Sequence, residues 1–446
     1  RDGGKTWTNV ARGIKGLPPQ AWVSSIDAGH FEEGTVYATF DLHMFGDLRP
    51  YAYRSGDYGK TWSALVAPDG PVRGYAHVIK EDLANPDLLF LGTELGLWVS
   101  LDGGKQWAHY RGGDIPAVAV RDLAIHPRDH DLVIATHGRG IWIVDDITPL
   151  RALTPATLAS NAVFLKARPI VQRVPAQGGW ANGDAAFVGP NPPGDAVITY
   201  YQKKRHIFGD LTIEVLDQTG RQVGTVPSSK RRGLNRVTWA MRLPPPKVPS
   251  AASVAFGAAF GPRLLPGTYT VKMSKDKDTY TTPLVLVPDP RTKHTPAERQ
   301  AQFDLAMKLY DLLGTMTFAV ERMNGVRLAL DDRAGKLPAS DSLAPRQAAA
   351  SAAVDELRRK IVATKEGGMI TGEERLRENL ADLYGNVVFY EGRPSATQVD
   401  RADAIEHELA DVVAAFDGWA AAELGGLNAA LGTKQLEPIR VLTREQ

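Results

Sequence analysis

The sequence predicts a multidomain chain: the terminal blades of an all-β propeller, then an immunoglobulin-like β-sandwich, then an antiparallel α-helical bundle. Three observations carry that prediction. A short motif recurs near the start, as Asp-Gly-Gly-Lys-Thr-Trp at residues 2–7, Ser-Gly-Asp-Tyr-Gly-Lys-Thr-Trp at 55–62 and Ser-Leu-Asp-Gly-Gly-Lys-Gln-Trp at 100–107. Between residues 195 and 273, short stretches alternate polar and apolar side chains, the signature of half-buried strands. Later, Ile405, Leu409, Val412, Val413 and Phe416 recur at three- and four-residue steps, forming one apolar stripe of a helix.

The propeller reading covers residues 1–148. The motif aspartates Asp2, Asp57 and Asp102 are spaced 55 and then 45 residues apart, a period that suits a four-stranded blade. Apolar, β-branched runs at 35–39, 88–93 and 132–136 are equivalent, and Gly-Leu-Trp-Val-Ser at 96–100 matches Gly-Ile-Trp-Ile-Val at 140–144. Such runs, closed by Gly and Asp turns, read as strands. Each blade then has strands A to D, with the motif as the C–D turn. The count is the tail of one blade, two whole blades and a final irregular one. That is too few to close a ring, since propellers need about four or more. Missing blades are therefore expected as partners, either N-terminal on the natural chain or on another chain.

Residues 149–184 read as a linker with one strand-like stretch at 163–174. The sandwich is expected over 185–290, with strands near 195–201, 211–217, 235–242 and 268–273. Residues 244–264 are rich in Pro, Ala and Gly and are expected to form an exposed loop. The bundle is expected over 294–424, with helices near 296–330, 343–364, 372–390 and 396–424. Capping boxes begin three of them, at Thr295/Glu298, Thr371/Glu374 and Ser395/Gln398. Residues 425–446 read as a loosely ordered tail.

Composition excludes some functions. The 446 residues are 43% apolar, enough for real cores. The balance of 52 basic and 51 acidic residues argues against nucleic acid as a partner. The basic runs Lys203-Lys204-Arg205 and Lys230-Arg231-Arg232 read as solvated strand ends. The chain has no cysteine, so disulfides, thiolate metal sites and cysteine nucleophiles are absent. No apolar run reaches the roughly 18 residues of a membrane span.

The repeated pattern Ser-x-Asp-x-Gly-x-(Thr)-Trp resembles the Asp box of BNR-repeat β-propellers, a group that includes sialidases, some glucanases and sortilin-type receptors. The strings Gly-Leu-Asn-Arg-Val-Thr-Trp at 233–239 and Leu-Pro-Gly-Thr-Tyr-Thr-Val at 265–271 resemble FlgD-type Ig-like modules. The order of parts is similar to the C-terminal portion of large bacterial BNR-repeat proteins labelled sortilin-like or glycosyl hydrolase-like. The resemblance implies a secreted or envelope protein. It implies a carbohydrate- or protein-binding or scaffold module, with a glycan or protein ligand and homo-oligomers among its partners. The alternative it implies is the C-terminal part of a glycoside hydrolase whose catalytic blades lie mostly elsewhere. A sialidase needs an arginine triad, a Tyr–Glu pair and an acid/base Asp, and none is assignable here.

The boxes themselves read as structural: Asp2, Gly4 and Trp7; Ser55, Asp57, Gly59 and Trp62; Ser100, Asp102, Gly104 and Trp107. An Asp in such a turn bonds nearby backbone N–H groups, and the Trp packs between strands. Antiparallel strands send successive turns to opposite ends, so the B–C loops lie opposite the boxes. In the related families, ligands bind at that end. One B–C loop, 40–49, looks long and carries Asp41, His43, Asp47 and Arg49. Two carboxyls about 5–9 Å apart would suit glycoside hydrolysis, which makes Asp41 and Asp47 the catalytic candidates. His43, Arg49, His137 and Arg139 are the ligand-face candidates; an inward Arg139 between two glycines would suit a carboxylate. His126-Pro-Arg-Asp-His-Asp131 lies at the box end and repeats no metal-ligand spacing. No metal and no cofactor are expected.

Overall fold

The computed structural model describes residues 3–174, 189, 191–338, 340–366 and 372–444. Asp2 and Thr371 lie outside the described residues, as do 175–188.

Three antiparallel sheets open the chain. The first unit holds β1 (Trp22–Ala28), β2 (Val36–Leu42), β3 (Asp47–Ser55) and β4 (Ser63–Ala64), paired in that order. The second holds β5 (Ala76–Glu81), β6 (Leu89–Thr93), β7 (Gly96–Ser100) and β8 (Ala108–His109). The third has three strands, β9 (Val120–Ile125), β10 (Leu132–Thr136) and β11 (Ile141–Val144).

Strands β6 and β7 are buried along their whole length, because successive side chains alternate between two covered faces. Leu91 and Trp98 pack with Tyr37 and Ala52 of the first unit. Their neighbours Phe90, Leu97 and Val99 pack with Leu123, Leu132 and Ile134 of the third. The first strands β1, β5 and β9 stand side by side.

The segment after the third unit is built into its neighbours. Helices α1 (Thr148–Arg151) and α2 (Pro155–Ala159) follow it. Arg151 forks onto the fully buried Asp82 with two 2.8 Å hydrogen bonds. The stretch expected as one strand is two, β12 (Ala162–Phe164) and β13 (Ile170–Gln172), and each joins a different sheet. Residues 149–174 are therefore not a free linker.

Strands β14 (Ala196–Gln202), β15 (Leu211–Leu216), β16 (Gln222–Val226), β17 (Gly233–Trp239), β18 (Gly267–Lys275) and β19 (Asp278–Pro288) complete a two-layer sandwich. Its sheets run β12-β14-β17 and β13-β19-β18-β15-β16. Ile198, Tyr200, Ile213, Val215, Trp239, Val271 and Met273 fill the space between them.

The 244–264 segment is not the exposed loop its composition suggests. Ala258 belongs to the helical core. The Arg377 guanidinium donates to the Pro249 carbonyl at 2.7 Å, and Ser253 Oγ donates to Glu378 at 2.6 Å. A Cβ on Gly257 would stand 2.0 Å from the Ala381 carbonyl oxygen. The small residues allow close approach to a helix rather than mobility.

Four long helices share one core: α3 (Pro296–Gly335), α4 (Leu343–Ile361), α5 (Leu376–Val388) and α6 (Ala396–Thr433). Thr295/Glu298 and Ser395/Gln398 form capping boxes. The expected start near 372 moves to Leu376, where Glu378 accepts from the Arg375 N–H at 3.1 Å. Glu373 instead takes the Thr364 N–H at 2.8 Å, and that bond with the Arg375 pair holds its pKa at about 2. The expected tail from 425 is also corrected. Leu424, Leu427 and Leu431 keep α6 against the core. Ile439 beyond it is buried, with its backbone bonded both ways to Asn428 at 2.7 and 3.0 Å. Among the described residues no helix is long and apolar enough to cross a membrane.

Candidate recognition rim

The motif turns set the two ends of each sheet unit. Between β3 and β4, Ser55 Oγ donates to Asp57 at 2.9 Å and accepts from the Gly59 N–H at 2.9 Å. Asp57 takes the Thr61 N–H at 2.9 Å and the Thr61 hydroxyl at 2.6 Å. Those bonds, led by the Thr61 hydroxyl, hold its pKa at about 2. Ser100, Asp102, Gly104 and Gln106 repeat the arrangement between β7 and β8. The β1–β2 turn joins the same end, where Gly34 accepts from the Tyr58 N–H at 3.0 Å.

The motif tryptophans differ. Trp107 is 9% exposed and donates to the Leu65 carbonyl of the preceding unit at 2.9 Å. Trp62 is half-buried and bonds Gly59 at 3.0 Å. Trp7, which donates to Gly4, is 89% exposed; it does not pack between strands.

At the opposite end, a β-bulge recurs at one position in each first strand. The register shifts between Val23 and Ser25, between Ala76 and Val78, and between Val120 and Asp122. The bulged residues are Ser24, His77 and Arg121. A bulge re-aims its side chain, and here all three reach a neighbour. Ser24 Oγ donates to the Ala76 carbonyl of the next unit at 3.0 Å. Arg121 Nη1 donates to His77 Nδ1 at 3.2 Å across the next boundary.

A continuous row of polar and aromatic groups results. Asp41 accepts from the His43 N–H at 2.8 Å and lies 2.7 Å from His43 Nδ1. The His43 ring stacks on Tyr75 with centroids 4.6 Å apart, and Tyr75 meets His77 edge-on at 4.8 Å. His77 Nε2 lies 3.0 Å from Glu94, which also sits 3.9 Å from Arg121. Since arginine can only donate, His77 Nδ1 accepts and Nε2 carries the hydrogen toward Glu94. Burial holds the His77 pKa below its ordinary value, so the ring is neutral near pH 7. Burial pushes Glu94 up, but bonds from His77 and Tyr75 outweigh it and keep it below the ordinary carboxylate range.

The sequence candidates separate at this rim. The long loop expected at 40–49 is a hairpin whose turn is only the 3-10 segment His43–Phe45 closed by Gly46. Asp41 and His43 join the row. Asp47 instead accepts from Arg49 at 2.7 and 2.9 Å and from the Tyr51 hydroxyl at 2.8 Å. The Arg49 bond leads in pulling its pKa well below the carboxylate range. Each of the two carboxyls is thus committed to its own cationic or imidazole neighbour. His137 and Arg139 are exposed on the third unit's turn, where the Arg139 carbonyl accepts from Trp142 Nε1 at 3.0 Å. His126 lies at the motif end and accepts from the Asp129 N–H at 3.1 Å.

Tyr75, His77 and Arg121 were not legible as site residues. Superposing the repeats would align Ser24, His77 and Arg121, but only the register shows that each is a bulge.

No protein-family model matches the chain, and no curated protein matches it. Solved structures to which it is similar include three of note. The GH74 enzyme of Niastella koreensis is 19% identical over 28% of this chain and 21% of that one, with TM-score 0.24. PorZ, a surface component of the type-IX secretion system of Porphyromonas gingivalis, is 14% identical over 59% and 30%, also with TM-score 0.24. The Penicillium chrysogenum α-L-arabinanase complexed with arabinobiose is 14% identical over 60% and 82%, with TM-score 0.18. The chain spans 14% of an ancestral GH74 enzyme, 21% of the Niastella enzyme and 30% of PorZ.

Proposed function

We propose that the chain is an extracellular or envelope-associated recognition module. In this reading, the sheet units are consecutive blades of a BNR/Asp-box β-propeller that bind a glycan or protein ligand at the rim opposite the boxes. The Ig-like sandwich and the helical bundle form its scaffold. The observation that carries the reading is the row His43–Tyr75–His77–Glu94–Arg121, which crosses three blades. Arg121 and Glu94 side chains remain 42% and 37% exposed, so both keep hydrogen-bonding capacity for a ligand. On the strands and turns of the same rim stand exposed Trp22, Met44, Phe45, Leu48 and Leu95. Exposed aromatic and Met side chains beside arginine are the composition of a binding surface.

Carboxylate catalysis is the second reading. It needs one carboxyl held protonated near neutral pH and one ionised. Asp47 and Glu94 are both held ionised, which favours binding. Asp41 and Glu94 occupy the same step of the repeat on adjacent blades, and they are the pair that a hydrolase would use.

The end faces support further blades as partners, on the same natural chain or another. In the second blade, Leu97 and Val99 are 1% and 8% exposed. Ile141 and Ile143, at the same register on the third blade, are 72% and 57% exposed. Ile26 is 67% exposed where its equivalent Ile79 is fully buried.

A glycan array and a chromogenic-glycoside screen with the natural full-length protein test the proposal. Array binding lost in Arg121→Ala, with no turnover, supports recognition. Turnover abolished by Asp41→Asn or Glu94→Gln would overturn it in favour of hydrolysis.

A further inference from the structure

One end of the sandwich concentrates charge that the whole chain does not have. The pairing of Gln202 with Gly233 brings the loop after β14 beside the loop before β17. The backbones are clamped: His206 N–H donates to the Lys230 carbonyl at 3.0 Å, and Gln202 Nε2 donates to the Ser229 and Arg231 carbonyls at 3.0 and 3.2 Å. The β18–β19 hairpin joins them, with Leu211 opposite Lys275 and the Asp276 N–H donating to the Asp210 carbonyl. Two basic runs 25 residues apart in sequence thus share one surface.

Lys204, Arg205, Lys230, Arg231, Arg232 and Lys277 are all exposed there, against the carboxylates of Asp210, Asp276 and Asp278. Lys203 is spent on the Ala159 carbonyl at 3.2 Å, and Lys230 on Gly209 at 2.8 Å. At the tip stand Ile207, 68% exposed, and Phe208, 85% exposed. Among the described residues only Trp7 is a more exposed large apolar side chain. Gly209 follows with φ +81°, and a Cβ there would stand 2.2 Å from Asp276 Oδ1. The tight left-handed turn thrusts Phe208 outward.

We propose that this end of the sandwich docks on an anionic lipid bilayer, with Phe208 and Ile207 entering the headgroup layer. A soluble acidic polymer would be satisfied by the cations alone. An exposed Phe–Ile pair on a surface with a net excess of cations matches both layers of a bilayer interface: anionic headgroups outside and acyl chains beneath. The surface lies on a different domain from the recognition rim and does not depend on that reading.

Co-sedimentation of the full chain with phosphatidylcholine vesicles, with and without phosphatidylserine, tests this. Binding is expected only with phosphatidylserine and is expected to fall with salt. Arg231→Ala and Arg232→Ala should each weaken it roughly fivefold. Phe208→Ser should weaken it about tenfold while leaving heparin binding unchanged, with circular dichroism confirming the fold. No sedimentation with phosphatidylserine vesicles would overturn the proposal. So would vesicle affinity indifferent to Phe208→Ser, which would mark a polyanion surface instead.

Discussion

The two ends of the sheet units solve the same problem by different means. At the motif end, Ser55, Asp57, Gly59 and Thr61 satisfy one another within a single turn. At the opposite end, His77 finds its partner 44 residues away in Arg121, on the next unit. The first arrangement is a fold device: it closes without help from a neighbour and leaves little for a ligand. The second exists only when units stand side by side, and its outer groups stay accessible. The motif turn is bonded within itself, whereas the His77–Arg121 pair joins two units and leaves its outer groups accessible.

The largest differences in stability are expected among the motif tryptophans. Trp107→Ala should cost about 3–5 kcal/mol in denaturant unfolding, since it empties a buried site and removes the bond to Leu65. Trp62→Ala should cost less, and Trp7→Ala should leave stability unchanged. Equal losses at all three would show that the motif, not its packing, sets the effect.

The motif end also has long-range ties, among them His30 and Tyr37 to Glu81 and Lys80 to Asp27; the Asp82–Arg151 pair should be nearly as costly to cut as Trp107. Asp82→Ala leaves the largely buried Arg151 guanidinium without its carboxylate. A loss of about 3–5 kcal/mol is expected, with earlier proteolysis of the 149–174 segment as the accompanying readout.

Across the opposite rim the effects should be smaller and coupled. Arg121→Ala and His77→Ala should each cost about 1 kcal/mol, and the double variant should cost less than their sum. Strict additivity would show that the row is a coincidence of neighbours.

Acid should separate the two ends. An unfolded histidine takes its proton near pH 6.5, whereas buried His77 resists it. The unfolded state then binds more protons below that pH, so the His77 contribution falls as pH drops below about 6.5. Asp57 keeps its charge in the fold down to about pH 2 against an ordinary 3.8. Its contribution is present above about pH 4 and fades only as pH falls toward 2. Urea midpoints measured from pH 7 to 3 should show the first loss absent in His77→Gln and the second absent in Asp57→Asn.

The same contrast explains what was legible in the sequence. The caps at Thr295 and Ser395 and the strand runs at 89–93 and 96–100 follow from neighbours in sequence, and they could be read there. Asp41 and His43 were found because a turn argument points to their end of the sheet. Tyr75 and Arg121 were not, because what makes them notable is a bulge and a neighbouring unit. Composition misled where it stood in for packing. The Ala and Gly of 244–264 fit against α5, and Gly425-Gly426 sit inside α6 because Leu424 and Leu427 hold it to the core.

The most direct test compares two variants of the natural full-length protein on one glycan and protein-ligand array: Tyr75→Ala with Glu94→Gln at the cross-unit rim, and Asp57→Ala at the motif rim. The first variant is expected to lose the wild-type binding pattern and the second to keep it, with both folded by circular dichroism. Binding retained by the rim variant and lost by the motif variant would contradict it.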